Sequence, residues 1–347
     1  MFMKQRIQYI DLAKGFCIIL VVLYHVCQHL RVRSEYLSLL TTFLMPLFFF
    51  LSGLFFKEHE GSLGFLIRKI NKLLIPFCFF YIITCFLYPN ILLSFGITDP
   101  HTESLGIQGL WAFIIEGRFT NGPLWFLWCL FIVNILFYLC VTIVKKICVS
   151  GVGQAALLTI FCFAVGMANS MFIAPHINFL GFVDTAIAAL PFFCVGYLFN
   201  KYTDILRPNA WDKYLPILII ICFALTFFFG GSCNYMRNVY RINPIAQHLC
   251  GITGTLFVIF LAKIIRDLPF ITYWGRYSIM ILVTHQLFLQ ILSPLFRKAQ
   301  IPIPIAIVVL LGVVMFSYQL LIPLMKKYLP YVTAQKDVIN VLKFVKQ

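Results

Sequence analysis

One apolar stretch near the start of the chain carries an ionisable residue at each end. The segment KGFCIILVVLYH, residues 14–25, begins with Lys14 and ends with His25. On a regular helix this stretch covers about three turns and about 16 Å, so the two side chains share one face. We expect Lys14 at a membrane surface and His25 about half a bilayer deeper, where a histidine could serve as a catalytic base. A snorkelling lysine and a hydrogen-bonded core histidine are the structural alternative.

Two carboxylates also fall in or beside apolar segments, where ionisable residues usually mark functional sites. Asp11 precedes Lys14 by three positions and can pair with it on the surface of a helix. Asp184 lies within the apolar segment GFVDTAIAALPFFCVGYLF. For Asp184, a structural ion pair with another span and a functional role stay open as alternatives. The functional role would be to bind a substrate hydroxyl or to orient a base.

A second intramembrane histidine lies in WGRYSIMILVTHQL, residues 274–287. On a regular helix Ser278 and His285 share a face, because they are seven residues apart, whereas Arg276 and His285 do not. A single histidine here would more often be structural. Together with His25, however, His285 favours a catalytic or proton-carrying site.

A basic segment, LIRKINKLLIP at residues 66–76, runs directly into an apolar span. Cations beside a span are most often a topology signal. The functional alternative is a phosphate clamp formed by Arg68, Lys69 and Lys72, which together can neutralise a multiply charged ligand.

Two further polar segments, predicted to lie on the side of the membrane opposite the basic segment, are candidates for binding a substrate. NGPLWFL at 121–127 contributes Asn121 and Trp125, and NYMRNVYRINP at 234–244 contributes Arg237 and Arg241. Planar hydrogen-bonding groups beside aromatic rings suit a carbohydrate, although an aromatic belt and a hydrated loop explain the same composition. The longest external loop, about 95–121, is long enough to fold over the external mouth and holds His101, Glu103, Trp111, Glu116 and Arg118.

The composition is that of an integral membrane protein. The chain of 347 residues is 61% hydrophobic and 11% charged, with a mean hydropathy of +0.93, whereas a soluble domain is about half apolar and a quarter charged. Apolar runs of about twenty residues predict an all-α bundle of about ten transmembrane helices. The predicted spans are 9–30, 36–56, 73–94, 122–144, 152–173, 178–199, 214–231, 247–265, 276–293 and 302–325.

The net charge of +15 follows from membrane topology and does not indicate a nucleic-acid partner. With ten spans both termini lie on one side, and 19 Lys and Arg residues fall on that side against 7 on the other. The positive-inside rule then places both termini in the cytoplasm. Nearly all of the twelve cysteines lie in apolar stretches without a CxxC pair, so we expect neither a disulfide framework nor a metal site.

These motifs resemble a known family. Lys14, ten intervening residues and His25 resemble the [Arg/Lys]-x10-His element of the membrane-bound acyltransferase-3 family, and FFFLSGLFF at 48–56 and the basic segment before LLIP follow in the expected order. NGPLWFL, ALPFFCVGYLF and WGRYSIMILVTHQ resemble the branch related to fucose 4-O-acetylases. Positions 14, 69 and 72 carry lysine where many relatives carry arginine, which weakens any bidentate contact.

The resemblance implies a membrane-bound O-acetyltransferase that uses acetyl-CoA and no metal. We expect one acyltransferase domain over residues 1–347, with spans over about 9–325, a short cytoplasmic tail at 326–347, and a location in the bacterial cytoplasmic membrane. The acceptor would be a hydroxyl of a cell-surface sugar or polysaccharide precursor, either free or lipid-linked. The donor phosphates would bind at Lys14, Arg68, Lys69 and Lys72.

In this scheme His25 is the general base, or it carries a transient acetyl group. Arg276 or His285 would stabilise the oxyanion, and Asp184 would assist as described above. The alternative is a transporter or flippase of a lipid-linked sugar, in which Asp184, His25 and His285 relay protons. Transfer or hydrolysis of acetyl-CoA by the purified protein would distinguish the two.

Overall fold

The computed structural model describes residues 6–32, 34–58, 61–94, 121–177 and 179–340. Most of the external loop predicted over about 95–121 therefore lies outside the described residues. The expectations attached to it, on His101, Glu103, Trp111, Glu116 and Arg118, lie outside them too.

The described residues form an all-α bundle, as predicted, together with a short β-hairpin. The strands β1 (Cys233–Asn234) and β2 (Val239–Tyr240) pair antiparallel. The helices are α1 (Gln8–His29), α2 (Glu35–Leu54), α3 (Gly61–Lys69), α4 (Ile75–Ile82), α5 (Tyr88–Ser94), α6 (Leu124–Ile147), α7 (Gly151–Ala168), α8 (Val183–Tyr202), α9 (Leu215–Phe229), α10 (Pro244–Ile265), α11 (Pro269–Arg276), α12 (Ser278–Lys298) and α13 (Ile303–Tyr328).

The predicted spans correspond to helices of the bundle. By length and composition, nine helical segments among the described residues could cross a membrane, and α2 adds a shorter apolar stretch, Leu39–Leu54. Each of the ten predicted spans therefore has a helical counterpart. The prediction that both termini are cytoplasmic stays a prediction.

Two of the spans are not regular helices. The third is interrupted by wide π-helical turns at Ile70–Leu74 and Ile83–Leu87, a feature that is frequent at functional sites. The predicted boundary at residue 276 is wrong, because α11 ends at Arg276 and α12 begins at Ser278. Between them Tyr277 leaves helical geometry, with φ −113° and ψ 25°. Arg276 and His285 therefore lie on different helices.

Helices α1 and α11 cross with their backbones in direct contact. A Cβ atom added to Gly275 would lie 1.8 Å from the carbonyl oxygen of Asp11, and one added to Gly15 would lie 2.1 Å from the carbonyl oxygen of Ile271. Small residues permit this close approach between helices in a membrane. The contact brings the end of α11 against the first turn of α1.

A second glycine crossing joins α2 and α8. A Cβ atom on Gly53 would lie 1.9 Å from the carbonyl oxygen of Phe193, and one on Gly196 would lie 2.0 Å from that of Phe50. This crossing packs the second half of α8 against α2, and Asp184 lies in the first turn of the same helix.

Polar contacts between segments sort into the two sides that the loop assignment predicts. Four ion pairs between segments join partners that the predicted topology places on the same side. On the side of the termini these include Lys72–Asp337, Lys145–Glu58 and Lys263–Asp212, and on the other side Arg241–Glu35.

We predict that Gly275→Ala destabilises the folded protein, because the new methyl group meets backbone atoms of α1 that cannot rotate away. Overpacking of this kind costs about 1–3 kcal/mol or more. Gly312→Ala is the matched control, since its Cβ would meet nothing within 4 Å. The thermal unfolding midpoint in detergent should fall for Gly275→Ala and stay equal or rise for Gly312→Ala. Equal midpoints for the two variants would contradict the described crossing.

Candidate functional site

His25 lies in the wall of a cavity of about 200 Å³ within the bundle. The cavity is bounded by α1, α2, the start of α6 and the β-hairpin. Aromatic rings make up much of its surface, together with a few polar groups. Its lining includes Tyr24, His25, Gln28, Trp125, Cys233 and Tyr235.

The hydrogen bonds of His25 leave one ring nitrogen available. Its Nδ1 lies 2.8 Å from Oε1 of Gln28, one turn further along α1. Because an amide oxygen only accepts, Nδ1 carries the hydrogen and Nε2 keeps its lone pair. A neutral imidazole in this state can take a proton at Nε2.

His285 of α12 packs behind His25, with ring centroids 5.2 Å apart. Its Nδ1–H donates to the carbonyl oxygen of Ile281 at 2.9 Å. Its Nε2 is buried and has no hydrogen-bond partner among the described residues. The carbonyl partner fixes the tautomer, so Nε2 of the neutral ring is an acceptor and not a donor. The structure thus brings together the two histidines that the sequence singled out.

A larger cavity of about 770 Å³ adjoins this one and shares Tyr24 and Gln28 with it. Its other walls include Arg31, Ser34 and Glu35, between the end of α1 and the start of α2. These residues lie at the end of α1 opposite Lys14. His25 can therefore be approached from that end through a space lined by charged and hydroxyl-bearing side chains.

Lys14 belongs to a charged cluster at the other end of α1. The cluster is centred on the buried carboxylate of Asp11, which is 3% exposed and hydrogen-bonded to Arg6. Lys14 Nζ lies 3.8 Å from Asp11 Oδ1, as the sequence predicted, and Arg276 Nε lies 3.8 Å from Asp11 Oδ2. One carboxylate thus holds three cations and leaves the cluster positive.

Arg276 is not near the histidines. Asp11 and His25 are fourteen residues apart on α1, which corresponds to about 21 Å along the axis. An oxyanion role for Arg276 beside His25 does not fit this placement, because the side chain is held at the Asp11 end. Of the two residues suggested for the oxyanion, His285 is the one that lies beside His25.

The basic segment takes part in a contact with the C-terminal part of the chain. Asn71 is fully buried in the first π-helical turn, where its side chain accepts from the backbone N–H groups of Val338 and Ile339 and donates to the Ile339 carbonyl. Lys72 donates to the Ala334 carbonyl at 2.9 Å and pairs with Asp337 at 2.8 Å. The C-terminal part of the chain therefore binds Lys72, one of the three cations predicted to bind phosphate.

The other two predicted phosphate ligands lie just before the π-helical turn. Arg68 is exposed, and Lys69 is half-buried with its Nζ 5.3 Å from the ring centre of Phe65. The predicted topology places Arg68 and Lys69 on the same side of the membrane as Lys14. They remain candidates for binding an anionic ligand.

The predicted acceptor residues divide into two groups. Trp125 lines the His25 cavity, and Asn121 is buried beside it, where its Nδ2 donates to the carbonyl oxygen of Val283 at 2.8 Å. Arg237 is exposed at the tip of the β-hairpin. Arg241 pairs at 3.1 Å with Glu35, which lines the larger cavity.

Asp184 does not line the cavity. It is 5% exposed, and its Oδ2 accepts from Nδ2 of Asn238 in the β-hairpin at 3.0 Å. Asp184 forms no ion pair with the described residues, so the expected pairing with a cation of another span is absent there. The observed partner of Asp184 is instead the side-chain amide of Asn238 in the β-hairpin.

The comparisons with known proteins agree with this geometry at the level of the family. A family model described as an acyltransferase domain matches residues 7–322, nearly the whole chain. The chain belongs to the acyltransferase-3 family. It is therefore a multi-pass membrane acyltransferase, and the transporter alternative is not favoured. No curated protein and no solved structure matched the chain.

Several residues around the acyltransferase site escaped the sequence reasoning. Gln28 follows His25 by one helical turn, a spacing that could have identified it as a partner. Cys233 and His248 gave no such signal. His248 is buried, with its two ring nitrogens 2.8 and 2.9 Å from the carbonyl oxygens of Pro244 and Ala188, and its ring stacks on Phe192.

We predict that Asn71→Ala releases the C-terminal segment of this acyltransferase, because three buried hydrogen bonds to that segment are lost. Trypsin should then cleave after Lys336 about tenfold faster or more, the effect of losing about 1.4 kcal/mol of local stability. Asn134→Ala is the control, since Asn134 is equally buried but bonds to Leu130 and Ser52. An unchanged cleavage rate for Asn71→Ala would exclude the described docking.

Proposed function

We propose that this protein transfers an acetyl group from acetyl-CoA to a hydroxyl of a cell-surface sugar or polysaccharide precursor, in the bacterial cytoplasmic membrane. The observation that carries the proposal is the position of His25. His25 lies in the wall of a cavity, its Nε2 has an available lone pair, and its Cα is about three helical turns from a cationic surface. The resemblance of NGPLWFL and WGRYSIMILVTHQ to the fucose 4-O-acetylase branch supports a sugar as the acceptor.

The positive cluster around Asp11 suits the donor. Coenzyme A carries a pyrophosphate and a 3′-phosphate, and Lys14, Arg6 and Arg276 outnumber the one carboxylate that holds them. Arg68 and Lys69 would add charge from α3, whereas Lys72 would first have to leave Asp337. With the phosphates at this surface, the pantetheine arm would extend along α1 towards His25.

The opposite end of α1 suits the acceptor. The larger cavity offers hydrogen-bonding groups from Arg31, Ser34 and Glu35, and the inner cavity offers the rings of Tyr24 and Trp125. A sugar presents hydroxyl groups and apolar ring faces, which match such a surface. Donor and acceptor would thus approach His25 from opposite ends of the helix.

In the proposed reaction His25 Nε2 removes the proton from the acceptor hydroxyl as its oxygen attacks the thioester carbonyl. The carbon–sulfur bond then breaks, and the coenzyme A thiolate takes the proton from the imidazolium. In the alternative order His25 Nε2 attacks the thioester carbonyl first, and the coenzyme A thiolate leaves. The acceptor hydroxyl then attacks the acetyl-histidine, the bond between the acetyl group and Nε2 breaks, and the hydroxyl proton passes to the thiolate. His285 would accept a hydrogen bond at Nε2, and it could donate to an oxyanion only after gaining a second proton.

We predict that His25→Ala lowers acetyl transfer by about 10²–10⁴-fold, the usual contribution of a general base. His176→Ala is the matched control, because the side chain of His176 is exposed and the residue is far in sequence from those that line the cavity. Transfer of radiolabel from [14C]acetyl-CoA would be measured at matched protein levels in membranes. Activity of His25→Ala above about a tenth of the wild-type value would exclude His25 as the base.

We predict that Lys14→Gln raises the KM for acetyl-CoA more than it lowers kcat, because a phosphate contact persists in the ground and transition states. Lys14→Arg should keep part of the affinity, since the charge is retained. Lys201→Gln serves as the control for loss of a surface cation, as Lys201 Nζ lies over the rings of Tyr197 and Tyr202. If Lys14→Gln and Lys201→Gln gave the same KM, Lys14 would serve topology alone.

A further inference from the structure

The β-hairpin supplies one wall of the His25 cavity. Four consecutive residues, Cys233, Asn234, Tyr235 and Met236, line it opposite α1 and α6. The two strands contain two residues each, and an isolated hairpin is at best marginally stable in water. The position of this wall must therefore depend on contacts with the helices.

On the α2 side the hairpin is held by two threonines. The backbone N–H of Cys233 donates to Thr41 Oγ1 at 3.1 Å, and the hydroxyl of Tyr235 donates to the Thr42 carbonyl at 3.1 Å. These contacts secure the first strand. They do not reach the turn that joins the two strands.

The turn is held by Asp184 through Asn238. Asn238 has φ +50°, a left-handed conformation that asparagine tolerates in turns. Its Nδ2 donates to Asp184 at 3.0 Å, and its Oδ1 accepts from the hydroxyl of Tyr240 at 3.0 Å. Beside it, Thr185 donates to the carbonyl of the lining residue Met236 at 3.1 Å. Both ends of the Asn238 amide are thus used to fix the turn.

The cost of burying Asp184 makes this contact strong. Asp184 and Asn238 are 5% and 6% exposed, and a buried carboxylate needs hydrogen-bond donors to offset its lost hydration. Asp184 lies in the first turn of α8, where the helix dipole favours a negative charge. Asn238 is the side chain that brings a donor to it from the hairpin, so the carboxylate and the turn stabilise each other.

We propose that Asp184 is a positioning residue: through Asn238 it fixes the hairpin wall of the His25 cavity and thereby determines which acceptors reach His25. This inference rests on the proposed function. It assigns Asp184 no contact with the reacting atoms, because Asp184 does not line the cavity while residues of the hairpin do. Its effect should fall on the acceptor and leave the donor, at the Asp11 end of α1, unaffected.

The first test measures the position of the hairpin without any substrate. Burial raises the pKa of the Cys233 thiol to about 12, and only the thiolate reacts readily with maleimides. Alkylation of Cys233 by N-ethylmaleimide in the full-length protein would be followed by peptide mass spectrometry, with the exposed Cys78 as an internal reference. Asp184→Ala should accelerate alkylation at Cys233 about fivefold or more and leave alkylation of Cys78 unchanged.

The second test measures transfer from [14C]acetyl-CoA to a panel of p-nitrophenyl glycosides. For the best acceptor, Asp184→Ala should raise the acceptor KM about tenfold, the value of a hydrogen bond to a charged group. The KM for acetyl-CoA should change less than about twofold. Asn134→Ala, which removes a buried amide away from the hairpin, is the control and should change neither value.

Rescue distinguishes this pairing from a general structural role. The double variant Asp184→Asn, Asn238→Asp exchanges the two groups and keeps one donor and one acceptor in place, so it should restore both the acceptor KM and slow Cys233 alkylation. An exchange that restores neither quantity would overturn the proposal. So would an Asp184→Ala variant with unchanged Cys233 reactivity and acceptor KM, or one that loses donor and acceptor binding equally. If the wild type acetylated no glycoside, the proposed function would fail, and the Cys233 measurements would still decide the role of Asp184 in positioning the wall.

Discussion

The backbone contact between α1 and α11 is the constraint on which the charged cluster around Asp11, the proposed donor site, depends. Gly275 packs against the carbonyl oxygen of Asp11, so the side chain of the next residue, Arg276, lies beside the Asp11 carboxylate. That carboxylate is buried, and a buried charge is stable only when it is paired. The glycine crossing therefore explains how Arg276, the cation that comes from a distant part of the chain, joins Arg6 and Lys14 around this carboxylate.

From this anchored end, α1 acts as a rigid spacer. Its first two turns carry Asp11 and Lys14, and His25 follows Lys14 about three turns later, beside His285 of α12. A catalytic group held on a regular helix has a defined distance from a charged surface. The break at Tyr277 also keeps the charged cluster apart from the histidines. Arg276 is the last residue of α11 and stays with the cluster, whereas His285 lies further along the chain, on α12.

The acceptor end depends on a different set of contacts. The crossing of Gly53 and Gly196 fixes α8 against α2, and these two helices carry Asp184 and the threonines that hold the β-hairpin. A short irregular segment can line a cavity inside a membrane bundle only if neighbouring helices satisfy its polar groups. The buried hydrogen bonds of the hairpin meet that requirement.

Local regularities of the sequence determined much of this protein. Apolar runs of membrane length predicted the ten helices. The apolar run over residues 9–30 also predicted that Asp11, Lys14 and His25 lie on one helix. Both predictions succeed because they depend only on residues that are close together in the chain. The apolar pattern could not reveal the break at Tyr277, since a glycine crossing with another helix stabilises it. Only the tertiary structure decided that Arg276 lies with Asp11, that Lys72 meets Asp337, and that Cys233 lines the same cavity as His25. Those pairings join distant parts of the chain, and they are set by how whole helices pack against one another.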